Sequence, residues 1–208
     1  MLRSIRLLAG AAAVLLGGFL LANQPPKATP NADGYFPHNL KTKWTYKVQD
    51  QTIEVVVSSV TEKFGDETCF KFDTQVGGKV VASELYAVRA DGVYRVKVKD
   101  DKIDPPVKVL AIPVKKDAEW DVKSKVGTQT VSGKFKIKND KEKLKVMGKD
   151  TETVFVEGVD LDVAGTKTTV RMWFGKDVGM VKLEYKIGDA TSTLELTKFE
   201  PPGGTTTN

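Results

Sequence analysis

The chain has 208 residues, of which 28% are charged and 40% hydrophobic, and its formal net charge is +5. This composition is typical of a globular protein with one domain or two small ones. The single cysteine excludes an intramolecular disulfide, and one cysteine with one histidine excludes a zinc site built from His and Cys ligands.

The N-terminal segment, residues 1–22, has the pattern of a secretory signal peptide. Arg3 and Arg6 precede an uncharged apolar run that ends at Ala22. This run of 16 residues is shorter than the roughly 20 residues that span a bilayer. Cleavage after Ala22 is therefore favoured, and an uncleaved membrane anchor is the alternative. Removal of the segment leaves a net charge of +3, and we expect an exported, periplasmic or secreted protein.

Two further segments are predicted to lie outside the folded domain. Residues 23–34 are rich in Pro, Asn, Ala and Gly, which indicates a flexible leader, and residues 203–208 indicate a disordered tail. The sequence therefore predicts a single domain over residues 35–202.

The domain shows a period-2 alternation of apolar and polar residues, which is typical of half-buried β-strands. In the segment "VYRVKVK", for example, Tyr94, Val96 and Val98 are predicted to share the apolar face, opposite Arg95. Gly- and Asp-containing turn signals separate about a dozen such runs. No window has a clear helical period. The predicted fold is all-β, an antiparallel and strongly curved sheet, open barrel or sandwich, preceded by the signal helix.

Four pairs of segments repeat in the same order along the chain. "PHNLKTKW" at 37–44 resembles "PVKKDAEW" at 113–120, and the other pairs begin at 67 and 152, at 85 and 172, and at 102 and 198. The growing offset predicts two related β-units, 35–106 and 107–202, with insertions in the second unit, including one more hairpin. We expect the two units to merge into one sheet system, because each alone would leave an apolar face uncovered.

The stretch "WFGKDVGMVK" at 173–182 contains residue types that occur in functional sites, but its glycines are placed as in a turn between two strands. Its repeat partner contains a plain "ADG" turn at 90–92. We interpret Asp177 as a turn residue and Gly179 as the permissive position of a hairpin.

Several motifs resemble those of an uncharacterised group of exported bacterial β-sheet proteins with no assigned activity. These motifs are "YFP" at 35–37 with "WTY" at 44–46, "DGVYR" at 91–95, "PP" with "LAIP" within 105–113, and the stretch at 173–182. The resemblance implies a bacterial envelope or secreted location and supplies no catalytic residues. A broader likeness to curved-sheet lipoprotein carriers and lipid-binding half-barrels concerns the fold alone.

The residues needed for catalysis or metal binding are scarce. His38, in a loop, has no evident Ser or Cys partner for nucleophilic catalysis, and Cys69 is predicted to be a small buried apolar residue. Asp160 and Asp162 match no calcium loop and are interpreted as the outward residues of a strand. We predict no catalytic residue, no metal site and no cofactor. A hydrolase that uses two carboxylates brought together by the fold remains a less favoured alternative.

The segment "KFKIKNDKEKLKV" carries a stripe of lysines and is predicted to be a hairpin whose Phe135, Ile137, Leu144 and Val146 face the core. A solvated face that protects an edge strand is the simpler interpretation. Contact with anionic lipid headgroups or acidic polymers is the functional one. The lysines concerned are Lys134, Lys136, Lys138, Lys141, Lys143 and Lys145.

Four aromatic residues, Trp44, Tyr46, Trp120 and Trp173, are candidates for lining a ligand cavity, although core packing is the simpler interpretation. The leading functional hypothesis is a non-enzymatic envelope protein that holds an apolar ligand, a lipid or a protein partner on its curved sheet. The alternative is a structural or adhesion module that uses the lysine face. Nucleic acid is not an expected partner for an exported protein of this charge, and the sequence leaves the oligomeric state open.

Overall fold

The structure is a computed structural model, and it describes residues 32–203. In this range a short 3-10 helix (Ala32–Gly34) precedes twelve β-strands. The strands are β1 (Lys43–Val48), β2 (Gln51–Phe64), β3 (Glu67–Val76), β4 (Lys79–Arg89), β5 (Gly92–Val98), β6 (Asp101–Ala111), β7 (Glu119–Val126), β8 (Gln129–Val146), β9 (Lys149–Val163), β10 (Thr166–Gly175), β11 (Gly179–Ile187) and β12 (Ala190–Glu200). The predicted signal peptide lies outside the described residues, as does the tail beyond Gly203.

Each strand pairs antiparallel with the next along the chain, and β1 pairs with β12, so that the sheet closes into a barrel. The closing pair runs from Lys43 opposite Glu200 to Lys47 opposite Glu195. The all-β antiparallel prediction is therefore confirmed. The sheet is closed rather than open or folded into a sandwich, because closure pairs the two strands that would otherwise be unprotected edges.

The interior of the barrel is packed on one side, which we call the filled side and define as strands β6–β9. In strand β7, the inward residues Val122, Ser124 and Val126 are buried, whereas the residues between them are exposed. This alternation places the apolar face of the strand inside the barrel. Large side chains from the neighbouring strands meet there with almost no exposed surface. They include Ile103, Leu110, Val131, Phe135, Ile137, Val154, Val156 and Leu161.

The ladder between β6 and β7 is short, with Ile103 opposite Val126 and Asp104 opposite Lys125. Pro105 and Pro106 follow in β6 and carry no N–H group, so the pairing cannot continue through them. Side chains of β7 replace the missing bonds. The Ser124 hydroxyl donates to the carbonyl oxygen of Pro105 at 2.6 Å, and the Trp120 indole N–H donates to that of Lys108 at 2.8 Å.

The predicted lysine hairpin is wrong. Residues 129–146 form one strand of 18 residues, β8, which pairs with β9 from Val131 opposite Val163 to Val146 opposite Lys149. The polar segment "NDKE" that resembled a turn instead holds register shifts between Ile137 and Glu142. A β-bulge takes up extra residues by bending a strand without reversing it. Phe135, Ile137 and Val146 are nevertheless buried.

Residues 32–34, which were expected to belong to the flexible leader, are instead packed against the barrel. Ala32 is 1% exposed and belongs to the main core. The backbone oxygen of Gly34 accepts a hydrogen bond from the N–H of Asp177 at 2.7 Å. The folded part therefore begins before residue 35, because the turn between β10 and β11 supplies the N–H of Asp177 as a hydrogen-bond partner for the backbone of this segment.

The two predicted β-units correspond to strands that lie six places apart in the barrel. Trp44 is in β1 and Trp120 in β7, and the segments beginning at 67 and 152 fall in β3 and β9. The additional hairpin expected in the second unit is absent from the described residues, since six strands fall on each side of the β6–β7 connection. The extra residues lengthen β8 and β9 instead. A duplicated origin stays a prediction.

Candidate functional site

A cavity of about 210 Å³ lies inside the barrel, opposite the filled side. We call this region the cavity side and define it as strands β11, β12 and β1–β4, with β5 and β10 at its boundaries. Val109 of β6 also contributes to the cavity wall. Several inward residues of these strands, such as Val55, Thr74 and Ala82, are of moderate size. They leave space that the larger side chains of the filled side would occupy. The cavity wall is predominantly apolar, as in pockets for small organic ligands.

One end of the cavity is closed by the N-terminal segment before β1. The ring of Phe36 packs against those of Phe72 and Tyr86, and the three ring centroids are 5.2 Å from one another. Pro37 packs on Gly179, where an added Cβ would lie 3.1 Å from the proline Cδ. This segment therefore acts as a plug, and its apolar side chains form the floor of the cavity.

The turn between β10 and β11, within the stretch 173–182, contacts this plug through the hydrogen bond from the N–H of Asp177 to the backbone oxygen of Gly34. Asp177 has a φ of 60° and Gly179 a φ of 87°, values of the left-handed region that a tight reversal requires. The Trp44 indole N–H donates to the carbonyl oxygen of Val178 at 2.5 Å, and the Tyr46 hydroxyl donates to that of Met180 at 2.8 Å. Burial raises the pKa of Tyr46 above its usual range, so its hydroxyl stays a donor. The stretch is a structural corner that also holds β1.

A charged pair is set into this apolar wall. Arg95 of β5, 1% exposed, lies opposite Tyr86 of β4, and its guanidinium Nη2 donates to Oε1 of Glu84. The Tyr86 hydroxyl donates to the other carboxylate oxygen at 2.5 Å. Burial disfavours the charge of Arg95, but the carboxylate of Glu84 outweighs it and the pKa of Arg95 lies above its ordinary value. Burial and the charge of Glu84 likewise hold the pKa of Tyr86 well above its ordinary value.

Arg95 was predicted to lie on the polar face of its strand, and this prediction is wrong. The register between β4 and β5 shifts between Leu85 and Tyr86, so that Tyr86 faces Arg95 while Leu85 faces Lys97. Val96 is the extra residue of this bulge. The shift turns Arg95 inward, where Glu84 compensates its charge and makes the burial tolerable.

The cavity reaches the surface at the opposite end from the plug. Val81 contributes to the wall and is also 38% exposed. Three further residues form this end of the wall. Val48 and Gln51 flank the β1–β2 turn, and Val76 lies beside the β3–β4 turn. The opening of the cavity therefore lies between these two hairpin turns.

The four aromatic candidates fall into two groups. Trp44 and Tyr46 line the cavity and are each 3% exposed. Trp120 stacks on Phe135 at a centroid distance of 5.8 Å on the filled side. Trp173 lies 4.8 Å from Phe155 with nearly parallel rings, and its indole N–H donates to Glu142 at 3.0 Å. Neither Trp120 nor Trp173 contributes to the cavity wall.

Sequence reasoning missed Glu84, Arg95 and Phe72. One sequence feature could have indicated the buried Glu84–Arg95 pair, namely an arginine within the otherwise apolar segment "VYRV". The pattern alone could not place Arg95 on the inner face, because the bulge at Val96 depends on the pairing with β4.

Acidic neighbours neutralise half of the lysine stripe. The distances are from lysine Nζ to the nearest carboxylate oxygen of the acidic partner. They are 3.5 Å from Lys134 to Glu119, 3.0 Å from Lys136 to Asp117 and 3.8 Å from Lys138 to Glu157. The other three lysines, Lys141, Lys143 and Lys145, are exposed. Because the strand is continuous, the six side chains do not form the two-stranded patch that a hairpin would have made.

The two residues considered for nucleophilic chemistry are accounted for by packing. The ring of His38 is half-buried, 4.0 Å from the ring of Phe70, and its Nδ1 lies 2.8 Å from the carbonyl oxygen of Phe36. Cys69 is fully buried, as predicted, and burial together with the charge of Glu67 raises its pKa to about 12. Within residues 32–203, His, Cys, Asp and Glu side chains form no group of three or more that could hold a metal ion.

Comparisons with known proteins identify the fold. No family model and no curated protein matches the chain. A solved structure from Parabacteroides distasonis, named a "putative lipoprotein", is similar with a TM-score of 0.53 and 11% identity, over 82% of this chain and all of that one. A "putative exported protein with YmcC-like fold" from Bacteroides fragilis is similar with a TM-score of 0.55 and 9% identity, over 81% of this chain and all of that one.

These similarities show a shared fold and nothing of its use, because the identities are low. The class that fold and site define is a closed antiparallel β-barrel with an internal cavity that is plugged at one end. Among the residues that the structure describes, we find no helix with the length and hydropathy of a membrane span.

Proposed function

We propose that this protein is an exported, non-enzymatic carrier or receptor that holds a small apolar molecule inside its barrel. The observation that supports this proposal most directly is the cavity of about 210 Å³. An apolar cavity of about 150 Å³ is large enough to bind benzene, so this one has room for a single ring or a short acyl chain. A longer ligand would extend past Val81 towards the solvent.

The contents of the wall favour binding over catalysis. Glu84 is its single carboxylate, and the described wall contains no His, Cys, Ser or Asp. A glycoside hydrolase needs two carboxylates on either side of its substrate, and nucleophilic catalysis needs a nucleophile beside a base. The lysine-face alternative is weaker, since Lys134, Lys136 and Lys138 already have acidic partners.

Two observations support export. Residues 1–22 have the pattern of a signal peptide, and the two structures of similar fold are named as a lipoprotein and an exported protein. An envelope location would give the cavity access to lipids and other apolar molecules. Mass spectrometry of the protein from a secreting host would test export, with a mature chain that begins at Asn23 as the expected result.

The binding proposal is tested with N-phenylnaphthylamine, an apolar dye whose fluorescence rises in dry surroundings. Its phenyl ring fits the cavity, and its naphthalene would extend past Val81 as a longer ligand would. We expect the wild-type protein to bind it, and Ala82→Phe, which fills the cavity, to weaken binding about tenfold or more. Ala82 is 9% exposed and lies in the wall. Val80→Phe is the matched control, because Val80 is 54% exposed on the same strand and lies outside the wall. Equal binding by both variants would contradict the proposal.

Native mass spectrometry of the purified protein, followed by solvent extraction, would identify the natural ligand. Additional mass that extracts as an apolar molecule is the expected result.

A further inference from the structure

The charged pair inside the cavity is arranged in a way that bears on ligand selection, provided that the cavity binds a ligand as proposed above. The Arg95 side chain is 2% exposed, whereas that of Glu84 is 19% exposed, and both residues belong to the wall. A ligand in the cavity would therefore meet the carboxylate rather than the guanidinium.

The carboxylate of Glu84 has remaining capacity to accept hydrogen bonds. Arg95 donates to Oε1 and Tyr86 donates to Oε2. An ionised carboxylate has about four lone-pair positions, so two are free after these bonds. Arg95 and Tyr86 also fix the orientation of the carboxylate, which reduces the entropy that a further partner would lose on binding.

Charge limits the kind of partner that can use these positions. The guanidinium of Arg95 already balances Glu84, so the pair is neutral as a unit. A ligand carboxylate would place a second negative charge beside Glu84 in an apolar wall, where charges interact strongly. A ligand ammonium would be buried beside an already compensated acid and would lie near the arginine. A neutral donor avoids both penalties, since it satisfies a free lone pair and adds no charge.

We infer that the cavity selects neutral amphiphiles that carry a hydroxyl or amide N–H group, which donates to Glu84, over carboxylates and amines of the same chain length. The rest of the polar wall agrees with this selection. Apart from Glu84 and Arg95, the described wall carries no charged side chain, and polar residues such as Gln51 and Thr74 are neutral.

The test is displacement of N-phenylnaphthylamine by octanol, octanoic acid and octylamine at neutral pH. These compounds share one chain and differ in the charge of the polar end. We expect octanol to bind the wild-type protein about tenfold more tightly than octanoic acid or octylamine. Dye binding with equal or tighter binding of octanoic acid or octylamine would overturn the inference and leave the proposed function standing. Failure of the dye and of all three compounds to bind would overturn the proposed function itself.

A substitution tests the role assigned to Glu84. Glu84→Gln keeps the size of the side chain and leaves the charge of Arg95 uncompensated, so we expect the preference to reverse towards octanoic acid. Glu54→Gln is the matched control, because Glu54 pairs with Lys43 outside the cavity wall and should leave the preference unchanged. An unchanged preference in Glu84→Gln would overturn the inference.

A neutral double variant covers the case in which Glu84→Gln does not fold. In Glu84→Gln with Arg95→Met, both charges are absent and no buried cation remains. The discrimination between octanol and octanoic acid should then narrow to less than about threefold. An undiminished discrimination in the folded double variant would show that Glu84 is not its source.

Discussion

The two sides of this barrel differ in how completely their inward side chains fill the interior. On the filled side, Phe135, Ile137 and Leu161 belong to one core cluster and are fully buried. On the cavity side, Val55, Thr74 and Ala82 occupy the corresponding inner face, and their shorter side chains leave a space of about 210 Å³. The difference teaches that one barrel can combine a stabilising core with a binding site, provided that short inward residues leave space in one half while the other half is fully packed.

The comparison predicts that removing a ring affects the two sides unequally. Phe135→Ala should lower the free energy of unfolding by about 3 to 5 kcal/mol, because it opens a hole in a packed core. Phe72→Ala should lower it by less, roughly 2 kcal/mol, because Phe72 already borders empty space and its removal enlarges an existing cavity. Urea unfolding of both variants measures the difference. Equal losses would mean that the cavity side is as tightly packed as the filled side.

A second comparison adds atoms instead of removing them. A Cβ on Gly158 would lie 2.5 Å from Cε1 of Phe135 and 2.8 Å from Cδ1 of Leu161. Gly158→Ala should therefore destabilise the filled side by about 1 to 3 kcal/mol.

Val55→Leu is the counterpart on the cavity side, because Val55 lines the cavity. It should change the free energy of unfolding by less than about 0.5 kcal/mol and weaken binding of the dye. Urea unfolding measures both variants, and a large loss in Val55→Leu would show that the cavity side lacks the space assigned to it.

A third comparison concerns the two tryptophans at equivalent places in the predicted β-units. Trp44→Phe and Trp120→Phe each remove one indole hydrogen bond to a backbone carbonyl. Each change should cost about 1 kcal/mol of stability. Trp44→Phe should also alter dye binding, whereas Trp120→Phe should not, since Trp120 lies outside the wall. Equal effects on dye affinity would indicate that the two sides are not functionally distinct.

Interpretation of the sequence succeeded where the strands are regular and failed at the β-bulges. Regular alternation predicted the strands and the burial of Phe135 and Ile137, because a period of two places every second side chain on one face. The segment around Asn139 was mistaken for a turn, and Arg95 was assigned to the outer face. Both errors occur where a strand holds an extra residue, and one extra residue moves every following side chain to the other face.

The sequence by itself determined the all-β class, the antiparallel order of short-range pairings and the exclusion of an intramolecular disulfide, because these depend on local periodicity, turn residues and counting. Only the tertiary structure decided that β1 closes on β12, that one half of the interior is filled, and that Glu84, Tyr86 and Arg95 meet in the wall of the other half. These features depend on register between paired strands and on the summed volume of residues far apart in the chain. Neither quantity is visible in the pattern of any single segment.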